Sequence, residues 1–191
     1  MKAILAIFTF LIFQHIGFAH QAFITTWKTD NAGQSNSTSI TIPTTGGGYN
    51  YDVDWDNDGV FDELGITGNV AHNFGVAGTC TIRIRGSFPR IYINYYGDRL
   101  KIISIDQWGS IAWESMEDAF RGASNLSSSA LDVPDLSNVT NTSSMFQEAP
   151  SFNGDVSKWN LSNVRDVSAL ITNASAPYAD PASSYNGDVS E

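Results

Sequence analysis

Three carboxylates stand at alternate positions in Asp54-Trp55-Asp56-Asn57-Asp58-Gly59, with Asp62 and Glu63 just beyond. In an extended or looped segment, alternate side chains can converge on one ion, and the glycine permits a sharp turn. That is the opening of a calcium-binding loop, since calcium takes several hard oxygen ligands. Position 12 of an EF-hand counted from Asp54 is Gly65, which has no carboxylate, so Asp62 or Glu63 would have to close a site of another kind. The metal ligands expected are therefore Asp54, Asp56, Asp58 and Asp62, with Ca2+ as the ion. The competing reading is an acidic β-turn, because Asp, Asn and Gly favour turns in their own right.

Little else in the chain is equipped for catalysis. Of three histidines, His15 and His20 lie at the N-terminus and His72 has no neighbouring His or Cys with which to build a zinc site. No serine sits in a Gly-x-Ser-x-Gly turn. Glu114, Glu117 and Asp118 read as a solvated helix face. The single cysteine, Cys80, lies on the same strand face as Ile82 and Ile84, where it acts as a small hydrophobe. No catalytic residue and no enzymatic activity is expected.

The elements that hold these residues fall into zones. Lys2, the apolar run from Ala3 to Phe13 and the small residues Gly17 and Ala19 form a secretory signal peptide over 1–19. From 20 to 86, short alternating runs are separated by Gly- and Asn-rich turns: Phe23–Lys28, Ser39–Ile42, Tyr49–Trp55, Asn69–Phe74 and Thr79–Arg85. This pattern, with no helical period, predicts a β-sandwich. Residues 87–112 form a bridge with strands at Arg90–Asn94 and Leu100–Ile105, and Ile102–Trp108 serves as a cap on the C-terminal third of the chain.

From 113 to 191 the sequence repeats. Asp135-Leu136-Ser137-Asn138-Val139 returns as Asn160-Leu161-Ser162-Asn163-Val164, with 161 − 136 = 25 positions between the leucines. Phe152-Asn153-Gly154-Asp155-Val156-Ser157 returns as Tyr185-Asn186-Gly187-Asp188-Val189-Ser190. A fixed period of this size predicts stacked units, each covering the apolar face of the next. Trp113, Met116, Phe120 and Ala123 fall at helical spacing, with Ser115 and Asp118 as a capping box; Met145, Phe146 and Ala149 repeat the pattern after Thr140 and before Pro150. A helix is expected in each unit. The second Asn-Gly-Asp turn comes late, which predicts an inserted loop between Thr172 and Ser184, and the chain stops inside a unit, as a truncated longer array would.

Two family resemblances bear on this division. The segments Tyr51–Asp56 and His72-Asn73-Phe74-Gly75-Val76-Ala77-Gly78-Thr79-Cys80-Thr81-Ile82 resemble a PKD-type immunoglobulin-like domain, with Cys80 in place of the usual tyrosine and a longer turn at Asp56–Gly59. That resemblance implies a spacer or interaction module with no activity attached. The run Ser144-Met145-Phe146-Gln147-Glu148-Ala149-Pro150-Ser151-Phe152-Asn153-Gly154-Asp155-Val156-Ser157-Lys158-Trp159-Asn160-Leu161-Ser162-Asn163-Val164 resembles the BspA-like surface-protein repeat, DUF285. It implies a variant leucine-rich repeat displayed on bacterial cell surfaces, with adhesion among the roles of its members.

The expected fold is thus mixed, a PKD/Ig-like β-sandwich followed by a short α/β leucine-rich-repeat-like solenoid. The expected protein is secreted or surface-bound and recognises an extracellular protein or glycan. A purely structural module of a surface assembly, or an accessory domain of a glycan-degrading enzyme, are the alternatives. Net charge of −10 excludes nucleic-acid binding by phosphate neutralisation, and no membrane insertion is expected once the signal is removed. Asn-x-Ser/Thr triplets at Asn36, Asn125, Asn138, Asn141, Asn160 and Asn173 arise from composition. Trp108, Trp113 and Trp159 are either ligand platforms or core, with core favoured for Trp159.

Overall fold

The computed structural model describes residues 21–172. The expected signal peptide, the repeat copy at Tyr185–Ser190, the loop expected after Thr172 and the triplet at Asn173 lie outside the described residues.

Eight strands form: β1 Phe23–Lys28, β2 Ser39–Ile42, β3 Asn50–Asp54, β4 Glu63–Ile66, β5 Val70–Asn73, β6 Thr79–Ser87, β7 Ile102–Gln107 and β8 Ser127–Ser128. A six-stranded sheet runs in the order β4-β3-β6-β1-β7-β8, and β2 and β5 form a second, two-stranded sheet. The pairing is antiparallel as far as β7, with Trp27 opposite Cys80 and Phe23 opposite Ile84. At β8 it turns parallel, Ser104 facing Ser127 and Ile105 facing Ser128. Alternation drives this arrangement: Phe23, Thr25 and Trp27 are buried along β1 and Ile82 and Ile84 along β6, while the residues between them stay more open. The molecule is β-rich, as the forecast sandwich requires.

No helix occurs among the described residues, which corrects the forecast of one helix per repeat. The segments at 116–122, 141–148 and 166–172 are successions of tight turns laid side by side. Alternate N–H groups bond within the turn, Ala119 N to Met116 O and Met145 N to Thr142 O among them. The others cross to the next unit: Met116 N to Asn141 O, Asp118 N to Ser143 O, Phe120 N to Met145 O and Gly122 N to Gln147 O. The same pattern joins Thr142, Ser144, Phe146 and Glu148 to the carbonyls of Asp166, Ser168, Leu170 and Thr172. Left-handed residues recur at matching points, Asp118 at φ 54° and Ser144 at φ 55°, and no right-handed helix accommodates them. The 3–4 spacing of buried residues therefore comes from turns whose inward side chains stack between units.

Two further expectations need correcting. Arg90–Asn94 is not a strand; its backbone instead reaches the first turn segment, through Ile93 N to Ala119 O and Asn94 N to Asp118 O. The acids read as a solvated helix face are largely paired, Glu117 with Arg90 at 3.0 Å and Asp118 with Arg121 at 3.3 Å.

One apolar cluster extends from Phe23 in β1 to Leu170 in the last described unit. Its spine is aromatic: Trp108 packs on Phe23, Trp113, Phe120 and Trp159, and Phe146 stacks on Phe120 and Phe152. Trp108, Trp113 and Trp159 are all buried, so they are core. Among the described residues no helix is long and apolar enough to cross a membrane.

Candidate metal centre and repeat face

Strand β3 ends at Asp54, and the chain then loops through 55–62 before β4 returns beside it. Asp54 is fully buried, while Asp56 and Asp58 are exposed, and one oxygen from each lies within 4.8 Å of the others. Oxygens about 2.3–2.6 Å from a shared calcium lie at most roughly 5 Å apart, so this trio fits one hard cation. Gly59, at φ 93°, makes the reversal.

Backbone donors and an arginine already hold these carboxylates in place. Asp54 Oδ2 accepts from Gly59 N at 2.9 Å and lies 3.6 Å from Arg83 Nε; Asp54 Oδ1 accepts from Asp58 N at 3.3 Å. Arg83 Nε also donates to Asn57 Oδ1. Asp58 Oδ1 accepts from Val60 N at 2.7 Å. Asp62, the fourth residue expected at the metal, stands outside the converging trio, and its Oδ2 accepts from Trp55 N at 2.8 Å. Glu63 Oε2 takes the Trp55 indole N–H at 3.3 Å. Behind the loop, the His72 ring stacks on Trp55 with centroids 4.6 Å apart and packs edge-on to Phe74. His72 is thus part of an aromatic packing group. Cys80 is partly buried against the core, and burial pushes its thiol up to about 11.

The repeat units carry a turn code that composition alone concealed. Asn141 Oδ1 accepts from Ser143 N at 2.8 Å and Asn160 Oδ1 from Ser162 N at 3.1 Å; outside the repeats, Asn36 Oδ1 takes Thr38 N at 3.0 Å in the same way. Asp135, Asp155 and Asp166 do the same with Ser137, Ser157 and Ser168. Each is an Asx-turn, in which the side chain mimics a backbone acceptor two residues before the donor. The Ser137 hydroxyl, with its backbone N–H, holds the Asp135 carboxyl below the usual carboxylate range, and Ser157 does so for Asp155. The D/N-x-S spacing was the signal for these corners.

Within the stack, buried positions stay buried, some by the same residue and some by another, Met116 giving way to Thr142 and Ala119 to Met145. Phe120 recurs as Phe146 and Ala123 as Ala149, all fully buried. At the same spacing the half-buried Glu117 becomes Ser143, the half-buried Arg121 becomes Gln147, and the buried Gly122 becomes the exposed Glu148. A feature the sequence did not disclose is Lys101, wholly buried, whose Nζ donates to Ser35 O, Asn36 O and Ser39 O at 3.0, 2.7 and 2.9 Å. It ties the 35–39 loop to the start of β7, and its position between Leu100 and Ile102 hid it inside an apparent strand.

A family model described as "Mycoplasma protein of unknown function, DUF285" matches residues 94–190. No curated protein and no solved structure matches the chain.

Proposed function

The chain belongs to the DUF285 family, and from that premise we propose that it is a secreted or cell-surface bacterial recognition protein. Its repeat units form a helix-free, leucine-rich-repeat-like solenoid that binds an extracellular protein or glycan. The supporting observation is the stack itself: Phe120/Phe146 and Ala123/Ala149 recur fully buried and the backbone bonds unit to unit, while the half-buried Glu117/Ser143 and Arg121/Gln147 beside them differ. Stacked repeats present an extended surface on which binding residues vary from unit to unit.

The strands from Phe23 to Ser87 serve in this reading as a PKD-like spacer. Calcium, held by Asp54, Asp56 and Asp58, sets the loop between β3 and β4 and stiffens that spacer. The protein acts by binding rather than by catalysis. A structural module of a surface assembly is the second reading, favoured by the unbroken sheet that carries β1 through β7 to β8 and so joins spacer to repeats.

Incubating the full chain with a panel of immobilised extracellular-matrix proteins and polysaccharides separates the two. Saturable binding to at least one member supports recognition. Uniform absence of binding removes it and leaves the structural module.

A further inference from the structure

On the flank of the stack, Tyr95, Arg99, Gly122, Ser124, Glu148 and Pro150 line an open cleft of about 380 Å³. The residues around it are built with unusual backbone geometry. Asn94 and Tyr95 are consecutive non-glycine residues in the left-handed region, at φ 37° and 64°, and Glu148 is a third at φ 55°. Such conformations are costly and persist only where the surroundings enforce them. Here Asn94 N and Tyr95 N are pinned to Asp118 O and Arg121 O, each at 3.1 Å. The result aims the Tyr95 ring over Gly122, so closely that a Cβ at 122 would stand 2.6 Å from the ring.

The cleft's chemistry is mixed in a specific way. Arg121 lies over the Tyr95 ring at 5.0 Å and is paired with Asp118. Arg99 lies 5.9 Å from the same ring, donates from Nη1 to Tyr95 O at 3.2 Å, and has no carboxylate within ion-pair distance among the described residues. The Glu148 carboxylate beside the Tyr95 hydroxyl raises the hydroxyl's pKa, and a carboxylate has acceptor capacity for a ligand. One guanidinium without an acid, one carboxylate with spare lone pairs, a hydroxyl and one aromatic ring describe a ligand that is both anionic and polyhydroxylated.

Resting on the recognition reading above, we propose that this cleft binds a carboxylated pyranose, the acidic sugar unit of an extracellular glycan. The sugar carboxylate pairs with Arg99, whose planar fork matches its geometry. Ring hydroxyls bond to Glu148 and Ser124, and the C–H face of the sugar lies against Tyr95. Glu148 disfavours a multiply charged phosphate or sulfate at the same place.

The test titrates the full chain with glucuronic acid and with N-acetylneuraminic acid, against glucose and acetate as partial ligands, following amide and tyrosine shifts by NMR. The expected result is saturable binding of at least one acidic sugar, with glucose and acetate each about tenfold weaker or worse. Which acid binds distinguishes a hexuronate from a sialic-acid source. Arg99→Gln is expected to weaken binding about tenfold or more, and Ser124→Leu, which fills the cleft without touching Arg99's own bonds, to abolish it. Absence of binding by both acidic sugars, equal binding of glucose or acetate, or undiminished binding in both folded variants overturns the proposal. If the full chain with Arg99→Gln still binds the extracellular panel as the natural sequence does, recognition stands and the cleft is not its site.

Discussion

Phe120 and Phe146 lie one repeat apart in sequence and stack in space, with ring planes 6° from parallel and centroids 5.5 Å apart. The pair shows in side chains what the crossing hydrogen bonds show in backbone. Each unit is completed by the next, since its inward ring needs the neighbouring ring and its alternate N–H groups need the neighbouring carbonyls.

Phe146 is the more central of the two, because Phe152 also stacks on it, at 3.6 Å between centroids. Phe146→Ala is expected to cost about 3–5 kcal/mol, as truncation of a fully buried phenylalanine does. Urea unfolding followed by tryptophan fluorescence measures it, and a loss below about 1 kcal/mol would mean the stack does not share one core.

Lys101 anchors the other half of the molecule. Its buried Nζ bonds three carbonyls and stands 3.9 Å from the equally buried Asp98, which accepts from Ser35 N at 2.9 Å and Thr41 N at 2.8 Å. Lys101→Met strands Asp98 and the carbonyls together and is expected to destabilise by about 3–5 kcal/mol. Adding Asp98→Asn to that variant should cost less than the two single changes summed, because the second removes the charge the first left unpaired.

Gly122 is irreplaceable for a local reason. At φ 73° any side chain strains the backbone, and its Cβ collides with Tyr95. Gly122→Ala is expected to lower stability by about 2 kcal/mol and to shift the Tyr95 ring resonances. Stability unchanged in thermal melts would show that the ring is not packed there.

Alkali should weaken the fold before it breaks the backbone. Burial pushes the Cys80 thiol up to about 11 and raises the Tyr51 hydroxyl well above its ordinary value of 10.0. A raised pKa on a group that becomes anionic means the folded state holds its proton longer than the unfolded chain does. Stability from this source is complete below about pH 9, then falls as pH rises from there toward 11 and beyond. Melting temperature measured from pH 8 to 11 should decline over that span, and Cys80→Ser should flatten its first part.

Calcium is expected to raise the melting temperature of the full chain, and Asp56→Ala and Asp58→Ala each to abolish the rise. Asp62→Ala should leave the calcium response largely intact, because Asp62 lies outside the converging oxygens and serves Trp55 N instead. A response that survives Asp56→Ala and Asp58→Ala but fails with Asp62→Ala would relocate the site.

How much of the fold and the site was legible depended on what each residue's burial revealed. Strands β1 and β2 were readable to the residue, since buried Phe23, Thr25 and Trp27 alternate with half-buried Ile24 and Thr26, and buried Ile40 and Ile42 flank half-buried Thr41. Strand β4 was not, because Glu63, Leu64 and Gly65 are exposed and an edge strand without a buried face has no periodic signal. The helix forecast failed for a different reason. Met116, Phe120 and Ala123 are buried at helical spacing, but hydrophobic period reports which side chains face inward and not where the N–H groups bond. The left-handed backbone at Asp118 and Ser144 decides that, and neither residue is a glycine that would have announced it. At the aspartate loop, the convergence of Asp54, Asp56 and Asp58 was readable from alternate spacing, while Asp62's diversion to Trp55 depends on how β4 returns beside β3.

Recognition by the repeat units is tested most directly by hydrogen–deuterium exchange of the full chain, with and without the matrix protein or polysaccharide it retains on the panel. Protection is predicted to concentrate in residues 94–172, at the cleft and the turn segments around 116–122 and 141–148. Protection confined to the strands between Phe23 and Ser87, with the repeats unchanged, would contradict a recognising role for the repeats.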